Sequence, residues 1–287
     1  MARRSVKREV NRQVERSVRR HVHEVGGGGG GGPPFDDDYS MAFDGANEWF
    51  EVDHHSDFDF DSDDPFTISC WIKLTQNFPG YNQYMLVITK LKWNPTYLPT
   101  FEGWDLIIYQ RQPIVHLIGQ GHPTSWMNRV SQYKCLASLN VSNQWTHLCV
   151  THDGQNGIQF YFDGVAQPGT FMIDTLYTGG VASSSLKNTE KVYIGYRQNA
   201  SLYAGLNDLA VFNKEFDQSE VTEAYNSGDP ADLTSHSASS NLVAYYTFDE
   251  AGDDSTANTG VIHDASGNGH DGTPKQTEVG DINTDVP

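Results

Sequence analysis

At 287 residues, with 37% hydrophobic and 20% charged residues, 27 Gly and 12 Pro, the chain has the composition of a turn-rich globular protein, not of a coiled coil, a collagen or a disordered polymer. It holds no run near the roughly 18–20 apolar residues of a membrane span. No apolar stretch follows the basic N-terminus as a secretory signal requires, and three cysteines exclude a disulfide scaffold. The formal charge of −18 is unevenly placed: residues 1–25 carry eight Lys/Arg against three Glu, net +5, leaving eleven basic and thirty-four acidic residues, net −23, beyond them. So acidic a body repels nucleic acid and anionic membranes; only the basic arm is left to touch either.

In chain order, the first predicted element is a helix over residues 1–25. Residues 3–24 lack Gly and Pro and are rich in Arg, Glu and Gln, while Val6, Val10, Val14, Val18 and Val22 recur every four residues. This thin apolar seam winds round the helix and is too narrow to stabilise it alone. The expectation is an anchor, either docking on a larger assembly or self-associating as a small parallel bundle, with a trimer favoured; a frayed basic tail is the plainer alternative. Seven glycines, Gly26–Gly32, then Pro33-Pro34 and three aspartates form a linker over residues 26–38, through which no helix or strand propagates.

Residues 39–287 read as an all-β body of short period-two strands. Ile68, Cys70 and Ile72 share one face of a strand over 67–73, and Ile158, Phe160 and Phe162 one face of a strand over 158–162. Asp163-Gly164 after the latter is a tight hairpin pair, because both positions need positive φ. Residues 191–195, 206–212 and 242–248 predict further strands, and 216–226 a single short helix. Many strands, one helix and no βαβ alternation predict two packed antiparallel sheets.

Several segments carry a resemblance. Phe43-Asp44-Gly45, Phe66 to Lys73, Trp145 to Gly154, Phe160 to Val165, and Ile194-Gly195 with Gly205 to Phe212 follow in order, then the helix segment, Leu242 to Glu250 and Asp264 to Thr273. Over residues 39–274 the chain resembles the laminin-G-like, concanavalin A-like jelly-roll family. The resemblance implies a two-sheet antiparallel jelly-roll sandwich. Here the last block closes the domain, where many members have it ahead of the Phe-Asp-Gly strand. That permutation requires the first and last strands to be neighbours.

The strongest candidate site is Asp264-Ala265-Ser266-Gly267-Asn268-Gly269, where Asp264, Ser266 and Asn268 copy the first half of a calcium loop with Gly at the sixth position. Lys275 at the twelfth position breaks the pattern, so further ligands are needed. The resemblance points to Asp208 and Asp44. The plain alternative is that the three side chains bond their own turn. A second acidic run, Asp53 to Asp64, surrounds His54-His55 and reads as a solvated rim with the chemistry for a transition metal. No zinc-type spacing of His or Cys occurs.

Aromatic residues Trp93, Tyr97, Trp104 and Trp126, in a Pro-rich stretch departing from the family pattern, are candidate ligand-binding positions; core packing is the alternative for each. Cys70 and Cys149 are expected to be inert core residues. The paired-carboxylate run typical of glycosidases on this fold is absent, so no catalytic residue is assigned. An N-terminal anchor ahead of this permuted jelly roll also resembles the arrangement in structural proteins of tailed bacteriophages, so the function expected is a non-catalytic virion protein, assembled in a host cytoplasm, docked on capsid or tail through residues 1–25. Its body would bind host-surface glycan, with calcium as cofactor. The alternatives are an exported carbohydrate-binding or adhesin module, and a glycoside hydrolase with dispersed carboxylates.

Overall fold

The computed structural model describes residues 37–46, 48–74, 84–92, 101–120, 129–141, 143–155, 157–177, 184–198, 200–249, 260–277 and 281–287. The anchor helix expected over residues 1–25, with Val6, Val10, Val14, Val18 and Val22, lies outside them, as does the expected linker over 26–38 except for Asp37 and Asp38. So do Trp93, Tyr97 and Trp126.

The strands run in chain order: β1 Ser40–Asp44, β2 Trp49–Val52, β3 Phe66–Leu74, β4 Tyr84–Thr89, β5 Gly103–Tyr109 and β6 Gln112–Ile118. Next come β7 Val130–Cys135, β8 Thr146–His152, β9 Ile158–Phe162, β10 Val165–Gln167, β11 Gly169–Asp174 and β12 Val192–Ile194. The last are β13 Tyr196–Arg197, β14 Ala200–Ser201, β15 Tyr203–Phe212, helix α1 Gln218–Tyr225, β16 Leu242–Tyr246, β17 Gly272–Lys275 and β18 Ile282–Asn283. One sheet has the order β10-β9-β8-β3-β15-β1-β18, with β16 also paired to β15; the other is β11-β7-β6-β5-β4-β12-β2-β17. All pairings are antiparallel, and the fold is the expected jelly-roll sandwich.

Period-two patterning builds the core between the sheets. Ile68, Cys70 and Ile72 of β3 meet Trp104, Leu106 and Ile108 of β5, Val115 and Leu117 of β6, and Leu206, Leu209 and Val211 of β15 in one buried cluster. The jump from Leu206 to Leu209 marks a bulge at Asn207–Ala210 that changes which residues of β15 face the core. Asp163 and Gly164 both take positive φ, 50° and 76°, joining β9 to β10 in the tight turn expected of that pair. Helix α1 starts with a capping box in which Asp217 accepts from the Ser219 and Glu220 N–H groups and Glu220 reaches back.

The permutation is accommodated as predicted. β18 pairs with β1, β17 with β2, and β16 lies on the same edge of β15 as β1. Cys70 and Cys149 are buried and unbridged, and burial pushes the Cys70 thiol up to about 12 and Cys149 higher still.

Candidate functional site

Three places gather polar side chains. The first is the outer face of the second sheet. Glu51, Tyr193, Thr89, Asp105, His116 and Gln132 stand opposite one another across β2, β12, β4, β5, β6 and β7 in one register. They leave the core to their neighbours Phe50, Val52, Val192, Ile194, Trp104, Leu106, Val115 and Leu117, although Thr89 and Asp105 are themselves buried, at 2% and 6% exposed. Asp105 bonds His116 Nδ1 at 2.7 Å.

The short β13–β14 hairpin sends Arg197 over the Tyr193 ring, 4.5 Å from its centre, and onto Glu190 at 3.2 Å. Burial of the guanidinium lowers the Arg197 pKa. At the far end of the row Glu51 receives Lys191 at 3.2 Å and Trp49 Nε1 at 3.2 Å, and Trp49 leans on Tyr196 with ring centres 5.5 Å apart. Hydrogen bonds to Asp53 and Glu51 raise the Lys191 pKa. Aromatic faces beside charged and amide groups are what a sugar ring needs, since its C–H face stacks and its hydroxyls bond.

The carboxylates of this row do not form a hydrolytic pair. Glu51 and Asp105 are three strand spacings apart, about 14 Å, beyond the roughly 5–9.5 Å that glycoside hydrolysis uses. The buried Ser69 Oγ–His147 Nε2 contact of 2.9 Å has no access to substrate either, both residues being 1% exposed.

The second place is the junction on β15 where the start of β1 meets the end of β16. Asp208 sits there in the bulge with φ of 48°, 3% exposed. Its Oδ1 accepts from the Tyr245 hydroxyl, while Oδ2 is buried with no hydrogen-bond partner. Asn207 bonds Asp37 at 2.7 Å, and Asp249 accepts from the Asp38 and Tyr39 N–H groups at 2.9 and 2.8 Å, closing the gap between strands. Burial, then the Asp37, Asp249 and Asp232 carboxylates, push the Asp208 pKa well up. Burial raises Asp249 to about 6. The orphaned buried Oδ2 has the chemistry of a hard-cation ligand, while among the described residues no group of three carboxylates there brings its oxygens within 4.8 Å of one another.

The ligand set inferred from sequence is not brought together as one cluster among the described residues. Asp44 caps its own turn at the Ala46 N–H, 2.7 Å, opposite Tyr203. Five residues of β15 separate it from Asp208, about 16 Å. Asp264 spends both oxygens on Tyr245 N, Ser266 N, His270 N and the Ser266 hydroxyl, at 2.9, 3.0, 3.0 and 2.8 Å. Asn268 Nδ2 donates to Leu242 O and Val243 O. Asp264, Ser266 and Asn268 thus staple a turn to β16, as the plainer of the two readings has it.

Trp104 is corrected as well. It is 1% exposed, its Nε1 donates to Phe58 O at 3.0 Å, and it packs on Phe60 and Phe66. Strand alternation places it inward with Leu106 and Ile108, so it cannot meet a ligand.

The third place is His55, Asp57 and His270, whose ligand atoms all lie within 4.8 Å of one another. Sequence reasoning kept His54 and His55 together; the fold separates them, with His54 on Lys90 at 3.1 Å and His55 on Asp57.

Among solved structures, a Bacteroides ovatus protein assigned as carbohydrate-binding is similar at 18% identity and a TM-score of 0.58, over 88% of this chain and 62% of its own. This chain therefore spans less than two thirds of that protein's length. The binding domain of Paraclostridial Mosquitocidal Protein 1 aligns at 16% identity and a TM-score of 0.48, over 66% of this chain and 43% of its own. The receptor-binding domain of botulinum neurotoxin D aligns at 13% and 0.45, over 65% and 43%. No curated protein matches in sequence. Residues 44–222, more than half of the chain, match the laminin-G family model of the concanavalin A-like lectin/glucanases superfamily, and to that superfamily the chain belongs.

Proposed function

We propose that the body is a non-catalytic glycan-binding jelly roll, held by residues 1–25 to a larger assembly, the capsid or tail of a virion. The observation that carries the binding function is the row on the second sheet, where Tyr193, Arg197, Trp49 and Tyr196 stand beside Glu51, Asp105 and His116. The carbohydrate-binding assignment of the similar Bacteroides ovatus protein agrees with it. The spacing of Glu51 and Asp105 argues against hydrolysis. Calcium would be held through the orphaned Asp208 Oδ2 and would neutralise a junction between strands; it takes no part in a reaction.

The virion setting rests on the resemblance of this arrangement to structural proteins of tailed bacteriophages with an N-terminal anchor; the basic arm of +5 before an acidic body of −23 and the glycine linker between them suit such an anchor. Oligomeric display, with a trimer favoured, would convert weak sugar contacts into avidity. The test is a glycan array with the full chain and Trp49→Ala, alongside purification from particles of the full chain and a variant lacking residues 1–25. Glycan binding lost in Trp49→Ala, and particle association lost with the arm, are expected. An array with no bound glycan overturns the binding role, and particle association that survives the deletion overturns the anchor.

A further inference from the structure

The loop after β2 and the turn before β17 meet because β17 pairs with β2, Gly272 lying opposite Val52. This brings His270 beside His55 across more than two hundred residues. His270 is 5% exposed at its side chain; its N–H is fixed by Asp264 Oδ2 at 3.0 Å and its ring packs on Phe58 with centres 5.0 Å apart. The His55 and His270 rings lie 4.6 Å apart. Asp57 Oδ2 is 3.0 Å from His270 Nε2 and 3.2 Å from His55 Nδ1.

These separations suit a shared cation. Four ligands around zinc at bond lengths of 2.0–2.1 Å stand about 3.3 Å from one another. His55 Nδ1 also accepts the Asp57 N–H at 3.3 Å, which requires that nitrogen to be unprotonated. Its single lone pair is engaged by that long N–H contact, with the Asp57 carboxylate oxygen 3.2 Å away, so a cation bound there takes the place of the N–H. Two imidazoles and one carboxylate select a transition metal over calcium or magnesium, which prefer oxygen alone. His55 and Asp57, 51% and 41% exposed at their side chains, leave the remaining positions to water.

We propose that His55, Asp57 and His270 form a binding site for a divalent transition cation of the zinc class, tying the β2–β3 loop to the turn that precedes β17. The site is separate from the Asp208 pocket and independent of glycan binding.

The test is a titration of the full-length chain, stripped with EDTA and dialysed, with Co²⁺ followed by its visible d–d bands, then with competing Zn²⁺. One equivalent of Co²⁺ should give bands that Zn²⁺ abolishes. His55→Asn and Asp57→Asn should each weaken the affinity about tenfold or more, with melting temperatures in EDTA unchanged, and Asp208→Asn should bind as the parent does. Absence of bands at stoichiometric Co²⁺, or undiminished affinity in both His55→Asn and Asp57→Asn, overturns the proposal.

Discussion

At the scale of single residues, burial decides the charge states. His147 packs beside the Trp71 and Tyr225 rings, 5.2 and 5.9 Å away, and burial lowers its pKa to about 3. It stays neutral in the fold, whereas the unfolded chain takes a proton below about 6.5. Its contribution to stability is therefore complete above pH 6.5 and is lost as pH falls toward 3, at about 1.4 kcal/mol per pH unit. Urea titrations from pH 6.5 to 4 should show a shallower pH slope for His147→Gln than for the parent; identical slopes would contradict a neutral buried imidazole.

Asp208 is the reverse case, a carboxylate whose charge is opposed by burial and by Asp37, Asp249 and Asp232. Asp208→Asn should raise the melting temperature in EDTA at neutral pH. It should also abolish the rise that calcium gives the parent, worth about 2.7 kcal/mol at a hundredfold excess over Kd. A calcium shift that survives the substitution would place the cation elsewhere. Trp104→Ala should cost about 3–5 kcal/mol through the cavity it leaves, with glycan affinity per folded molecule unchanged.

At the scale of elements, local chemistry and long-range pairing divide what sequence can tell. β9 and its Asp163-Gly164 turn were legible because each is specified by adjacent residues, alternation and a positive-φ pair, and α1 was legible as a short helical run, whose cap at Asp217 the structure adds. Asp217→Ala, which removes the acceptor for two helix N–H groups, should destabilise by about 1 kcal/mol, measurable by urea unfolding. The bulge in β15 was not legible, since nothing in Gly205 to Phe212 marks where the pleat slips. That slip decides that Asp208 meets Tyr245 and the strand junction. For the same reason Trp104 resembled a ligand platform in a Pro-rich stretch, although period-two alternation through Leu106 and Ile108 already pointed it into the core.

At the scale of the whole molecule, the sandwich was readable from the order of its strands, while the candidate sites were not. The row from Glu51 to Gln132 draws one residue from each of six strands, and His55 meets His270 only because β17 returns to β2. Such convergences depend on sheet order, which a period-two pattern does not encode. Asp37–Pro287 forms one compact unit, so a chain beginning at Asp37 should fold with the melting temperature of the full chain. Sedimentation of the two should show the oligomer only where residues 1–25 are present; equal masses would contradict the assembling role of the arm.

Binding without turnover is the central claim, and one measurement reaches it directly. The full chain is incubated with a polysaccharide bearing the best glycan from the array, and bound protein and newly released reducing ends are followed in the same sample. Saturable binding with no reducing ends above the protein-free control is the predicted result. Release of reducing ends that scales with protein and time would contradict it.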